Sequence, residues 1–167
     1  MSYLLRRIRK SRWDPAYRNE INGGLPGEAI PSDCLADLNT SYCKLSLWQV
    51  HDDRSNLEVI AVAVATTRDV AANFEYTLID HARVAAIGNL KQSEGGSPNI
   101  QANNDWHWDL SGLSAQQLGE LVAVMYEFGS PMRIIRRDVE NLIREALQRR
   151  EIDRSLVNGK LRAHMGL

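Results

Sequence analysis

The chain has 167 residues, 44% of them hydrophobic and 25% charged, with a formal net charge of −1. That is the balance of an ordinary soluble globular protein, of a length for a single domain spanning 1–167. Its longest apolar run, Val59 to Ala65, has seven residues, far short of the eighteen or so of a membrane span, which excludes an integral membrane protein.

Charge is unevenly spread. Residues 1–18 carry six cations and one acid, residues 133–167 nine cations and five acids, so two basic ends flank a middle of net charge −10. The plainer account is that the ends fold back onto the acidic body; the functional one is that a basic end is presented to a partner. The opening MSYLLRRIRKSRW has the cations of a secretory signal without its apolar core or cleavage site, so a cytoplasmic location is expected, with an organellar transit peptide as the alternative. Cys34 and Cys43, nine apart, match neither a redox pair nor a zinc knuckle and read as two thiols in a reducing compartment.

In chain order, Tyr3–Trp13 places Leu4, Leu5 and Ile8 on one side of a helix, with Arg6, Arg7, Arg9 and Arg12 between them; a strand is the alternative. The segment 1–18 is read as a basic arm. Residues 19–32 (NEINGGLPGEAIPS) are a Gly/Pro-rich connector, and Asp33–Leu38 a single helical turn presenting Leu35 and Leu38 inward. Three strands follow: Tyr42–Val50, Leu57–Thr67 and Phe74–Ile79, the middle one rich in Val, Ile, Ala and Thr. Their short links predict an antiparallel β-meander of three or more strands, since parallel neighbours need long crossovers.

Asp80–Leu90 fits a short helix with Val84 and Ile87 inward, or a fourth strand, and Lys91–Asn104 reads as a long polar loop. Ser114 to Gln117 matches a capping box before Leu118, Leu121, Val122, Met125 and Phe128, with Gly129 as a stop. Ser130-Pro131 then opens a second helix in the basic region 131–167, with the stripe Ile135, Val139, Leu142, Ile143, Ala146 and Leu147. Asn158-Gly159 marks a turn before a short tail. The predicted fold is α+β: the meander packed in two layers on a C-terminal pair of helices.

In that meander His51, Asp52, Asp80 and His81 fall at one end of the sheet, and His107 could join them. Imidazoles and carboxylates so grouped would suit a divalent metal or general acid/base chemistry, although turns are also rich in Asp and Ser for backbone reasons alone. No residue set specifies a metal or cofactor. Trp106 and Trp108, on one side of an extended segment, suit a core or a lid over a groove. No phosphate-binding glycine loop, nucleophile elbow or zinc-protease motif occurs.

The preferred reading is a non-catalytic interaction or regulatory protein. It would bind a protein partner through a basic end, with Arg6, Arg7, Arg9 and Arg12, or through residues 91–109, with Trp106 and Trp108. Two alternatives stand beside it: a metal-dependent hydrolase, such as a phosphodiesterase, built on His51, Asp52, Asp80, His81 and His107, and nucleic-acid binding by the N-terminal arginines. The acidic middle argues against the last.

Overall fold

The computed structural model describes residues 2–17, 32–38, 44–128 and 131–167. All but Ser32 of the predicted connector, together with Cys43, Gly129 and Ser130, lies outside the described residues. Six strands form one sheet: β1 Tyr3–Arg7, β2 Lys44–Val50, β3 Phe74–Asp80, β4 Asn89–Gln92, β5 His107–Ser111 and β6 Met132–Ile134. The helices are α1 Lys10–Tyr17, α2 Leu57–Ala65, α3 His81–Ile87, α4 Ile100–Trp106, α5 Ala115–Phe128, α6 Arg136–Gln148 and α7 Gly159–Met165, with a 3₁₀ helix at Ser32–Leu38. The strand order is β4-β5-β2-β1-β3-β6 and every adjacent pair is antiparallel, an α+β fold.

The expected strand at Leu57–Thr67 is helix α2 instead. A short run that is apolar on all sides does not distinguish a strand from a buried helix. Here Ile60, Ala61, Val62, Ala63 and Ala65 are all buried, and three of the five are alanine, the best helix former and small enough for close packing. Beyond its end, the Thr66 hydroxyl donates to the Val62 and Ala63 carbonyls at 2.8 and 3.0 Å. The place meant for this segment, between β2 and β3, is taken by β1. Tyr3 stands opposite both Val50 and Asp80, so the N-terminal segment is the interior of the sheet and not an arm. Leu4 and Leu5, adjacent and both wholly buried, explain why: on a strand they point to opposite faces, and each face here has its own core.

Those two cores make three layers where two were expected. Leu5, Trp48, Val50, Tyr76 and Leu78 pack with α2, α6 and α7 on one face. Leu4, Leu45, Leu47, Ile79 and Leu110 pack with Trp13 of α1 and with α3 and α5 on the other. The C-terminal helices α5 and α6 are thus not a pair but are separated by the sheet, with β6 between them in the chain. Since β2 and β3 each run antiparallel to β1, they are parallel to each other, and α2 is the crossover joining them in a split β-α-β unit.

Other elements follow their local signals. Ser114 N–H donates to Gln117 Oε1 at 2.9 Å and Gln117 N–H to Ser114 Oγ at 3.2 Å, a complete capping box at the start of α5. Val84 and Ile87 are buried on α3, and Val139, Ile143 and Ala146 on α6. Ile135, placed on the predicted stripe, precedes α6 and is 46% exposed; Leu35, expected inward, is equally exposed, while Cys34 and Leu38 of the same turn are buried. The polar stretch 91–104 is shorter as a loop than expected, because β4 takes its start and α4 its end. Among the described residues no helix is long and apolar enough to cross a membrane.

Candidate functional site: an arginine cleft where the sheet parts

Along β1, pairing with β3 covers five positions, from Tyr3 to Arg7, whereas pairing with β2 covers three and stops at Leu5 opposite Trp48. Past that point the two central strands diverge. Arg6 and Arg7 therefore lie beside a gap, and alternation along the strand sends them to opposite faces. Arg6 spans the gap: its Nη1 donates to the Ser46 carbonyl at 2.8 Å, and its Nε to the Asp37 carbonyl at 3.0 Å. Burial pushes its pKa down to about 10, which leaves the guanidinium charged at neutral pH.

A cleft of about 460 Å³ opens at this divergence. Arg6, Arg7, Arg9 and Arg12 line it from the N-terminal segment, Asp37 from the 3₁₀ turn, and Arg68 from the turn after α2. Gly96, Ser97 and His107 close it from the other side, so the basic end and the 91–109 stretch meet at one site. The loop behind Gly96 is tied to α4: the Asn103 side chain accepts from Ser97 N–H at 3.1 Å and donates to the Ser97 carbonyl at 2.7 Å. His107 is buried, shares a 2.9 Å hydrogen bond with Ser93 Oγ through Nδ1, and sets its ring edge-on to Trp48. Burial lowers its pKa below the ordinary histidine value, so it adds no charge at neutral pH.

Among the described residues Asp37 is the one carboxylate on the lining, and both its oxygens accept hydrogen bonds. Its Oδ1 accepts from Arg12 at 2.6 Å, and its Oδ2 from the Trp13 indole at 2.9 Å and the Arg9 amide at 2.8 Å. The nearby Glu75 accepts from the Lys10 amide at 2.8 Å. Among the described residues neither Asp37, Glu75 nor any other carboxylate pairs with the guanidinium of Arg7, Arg9 or Arg68. Burial, and after it the charge of Arg68, lowers the pKa of Arg7. Asp37 and Glu75 partly offset the charge of Arg7 from a distance, but among the described residues no carboxylate is in ion-pair contact with these three cations, so the cleft has a positive bias that would favour an anion.

The histidine and carboxylate candidates lie at the opposite end of the sheet. Val50 and Asp80 both face Tyr3, so His51 and His81 leave the sheet at the same end, with β1 between them, roughly 9–10 Å apart by strand spacing. They are nevertheless on different sides. His51 sets its ring against Trp106, which packs with the α2 core, and His81 sets its ring against Trp108, which packs with the α5 core. Trp106 and Trp108 thus do not share one side, because Trp106 ends α4 and only Trp108 is on β5. Each polar candidate has a local partner: His51 Nδ1 meets Ser55 Oγ at 3.1 Å, and Asp80 caps α3 by accepting from Arg83 N–H at 3.0 Å. Asp52 is an exposed residue of the turn that follows β2. His107 belongs to the arginine cleft. Among the described residues no group of three or more His, Cys, Asp or Glu side chains is placed to hold a metal ion.

Arg68 was not legible as a site residue in the sequence, since it follows the segment read there as a strand. The polar break Thr66-Thr67-Arg68-Asp69 after a purely apolar run is the signal that marks it as a turn. No protein-family model, curated protein or solved structure matches this chain, so what the cleft binds rests on its own charges and shape.

Proposed function

We propose that this protein is a non-catalytic interaction protein, acting as a single domain, that captures an acidic segment of a partner protein in the arginine cleft. The observation that carries the proposal is the cluster of Arg7, Arg9 and Arg68, none in ion-pair contact with a carboxylate among the described residues, beside Asp37, which is already committed to Arg12. Cations kept unpaired in a half-enclosed space are electrostatically unfavourable in the free protein. A bound anion removes that cost. The cleft is bounded both by the basic end and by the 91–109 stretch, the two places from which partner binding was expected. A cytoplasmic setting accompanies the reading; the buried thiol of Cys34, which donates to the Arg12 carbonyl at 3.2 Å, supports a reducing compartment.

The test is fluorescence anisotropy with a labelled twelve-residue peptide rich in Glu and Asp, titrated with the full chain at low and moderate salt. Binding should weaken with salt, because exposed charges are screened beyond about 10 Å at 0.1 M. Replacing Arg7, Arg9 and Arg68 together by Gln should cost at least about tenfold, the equivalent of a single charge-assisted hydrogen bond. Equal binding by the triple variant, once shown to be folded, refutes the proposal. A single-stranded oligonucleotide of equal charge that displaces the peptide more effectively would favour nucleic acid as the ligand.

A further inference from the structure

Arg7 and Arg68 form a wall shared by two clefts. The arginine cleft lies on one side, and on the other is a second cleft of about 470 Å³, lined by Thr67, Asp69, Val70, Asn73 and Phe74. Arg7 reaches this wall from β1 and Arg68 from the turn after α2, and the two charges oppose each other there. Among the described residues, the nearby carboxylates hold other donors at hydrogen-bond distance. Asp37 holds Arg12, the Trp13 indole and the Arg9 amide; Glu75 holds the Lys10 amide. Asp69, next to Arg68 in the chain, accepts from Lys160 Nζ at 2.8 Å and from Asn158 Nδ2 at 3.2 Å. Asp69 thus brings a counter-charge near Arg68, but its oxygens are held by Lys160 and Asn158, and among the described residues no carboxylate lies within salt-bridge distance of the Arg68 guanidinium.

The charge and shape of that wall select among anions. A carboxylate brings one negative charge and two oxygens, enough for one guanidinium. A phosphodiester in a nucleic-acid backbone also brings one charge. A phosphate monoester carries nearly two negative charges at pH 7 and three acceptor oxygens on one centre, which suits two guanidinium forks approaching from different elements. We infer, building on the acidic-segment reading above, that Arg7 and Arg68 form a subsite for a phosphate monoester borne on the partner segment, as phosphoserine or phosphothreonine. Phosphorylation of the partner then acts as the switch for docking.

The experiment compares three otherwise identical acidic peptides, with phosphoserine, glutamate or serine at the central position, titrated against the full chain and its R68Q and R7Q variants. Arg68 is exposed in a turn, so R68Q should fold as the parent does; R7Q, in the central strand, is used only if its melting temperature shows it folded. In the parent, the phosphoserine peptide should bind about tenfold more tightly than the glutamate peptide, as expected for one added charge-assisted hydrogen bond. In R68Q affinity for both peptides should fall, for the phosphoserine peptide by about tenfold more than for the glutamate peptide, so that the preference vanishes. Inorganic phosphate should displace the phosphoserine peptide. Equal affinity for the phosphoserine and glutamate peptides in the parent overturns the inference and leaves the acidic-segment reading intact, whereas failure of both to bind overturns both. A phosphoserine preference that persists in R68Q, or stronger displacement by an oligonucleotide than by inorganic phosphate, also overturns it.

Discussion

Replacing Asp37 by Asn separates the two roles of the arginine cleft, its contribution to stability and its capacity for anions. The parent carboxylate accepts three hydrogen bonds, two from neutral N–H donors through Oδ2 and the Arg12 ion pair through Oδ1 at 2.6 Å. The pair is largely shielded, with the two side chains 27% and 10% exposed, so solvent screens it less than a surface pair. An Asn at 37 keeps one oxygen for the Trp13 indole and the Arg9 amide but turns an amide NH₂ toward Arg12, donor against donor. The loss is at least the Arg12 ion pair, about 1.5–3 kcal/mol, since the two remaining bonds also weaken at a neutral acceptor, while Asp37→Ala loses all three. For a chain of this length about 2 kcal/mol corresponds to a fall in melting temperature of roughly 4–8 °C. Calorimetry or urea unfolding gives that number directly. Because Arg12 is freed into the cleft, the same variant should bind the acidic peptide more tightly, so stability and affinity move in opposite directions. A D37N protein within about 0.5 kcal/mol of the parent, or one weakened in both properties, would refute this account of the cleft.

Three further outcomes follow from the packing. Leu4→Ala and Leu5→Ala truncate wholly buried side chains in separate cores, so each should cost about 2–5 kcal/mol in denaturant unfolding and the two costs should come near to adding. Thr77 lies opposite Arg6, and its buried hydroxyl has no hydrogen-bond partner among the described residues. Thr77→Val should therefore be neutral to stabilising by about 1 kcal/mol, visible as a melting temperature unchanged or a few degrees higher. Burial lowers the pKa of His107 in the fold, so the unfolded chain takes up that proton first as pH falls. Its contribution is complete above the unfolded histidine value of about 6.5, declines as pH drops from there to the folded value, and is flat below it. His107→Asn should remove that segment from a plot of unfolding free energy against pH.

Where the sequence carries a period or a cap, it leads directly to the fold. The alternation of Phe74–Ile79 becomes β3, the Ser114–Gln117 pattern becomes the cap of α5, and Val139, Ile143 and Ala146 form the inward stripe of α6. The errors arise where the pattern is uninformative. Val59–Ala65 is apolar in every direction, and its β-branched content suggested a strand, but the segment forms the helical crossover between two parallel strands. Tyr3–Arg7 has too few residues to reveal a period, and its two adjacent leucines look like a helical face until a core exists on each side. One misplacement caused the other, since both segments compete for the position between β2 and β3. The four N-terminal arginines of the cleft were legible from their density alone. Arg68, His107 and the Gly96–Ser97 wall reach the site through tertiary structure that no local pattern encodes.

The short ladder between β1 and β2 divides the sheet into two halves of three strands, β4-β5-β2 and β1-β3-β6, stitched along Tyr3–Leu5 and by the reach of Arg6 to Ser46. Strands of each half come from distant parts of the chain, so neither half is a contiguous folding unit. That seam holds the two halves by fewer paired positions than the β1–β3 or β2–β5 ladder. A ligand seated at its open end touches both halves, and its binding would be felt as a stiffening of the whole sheet.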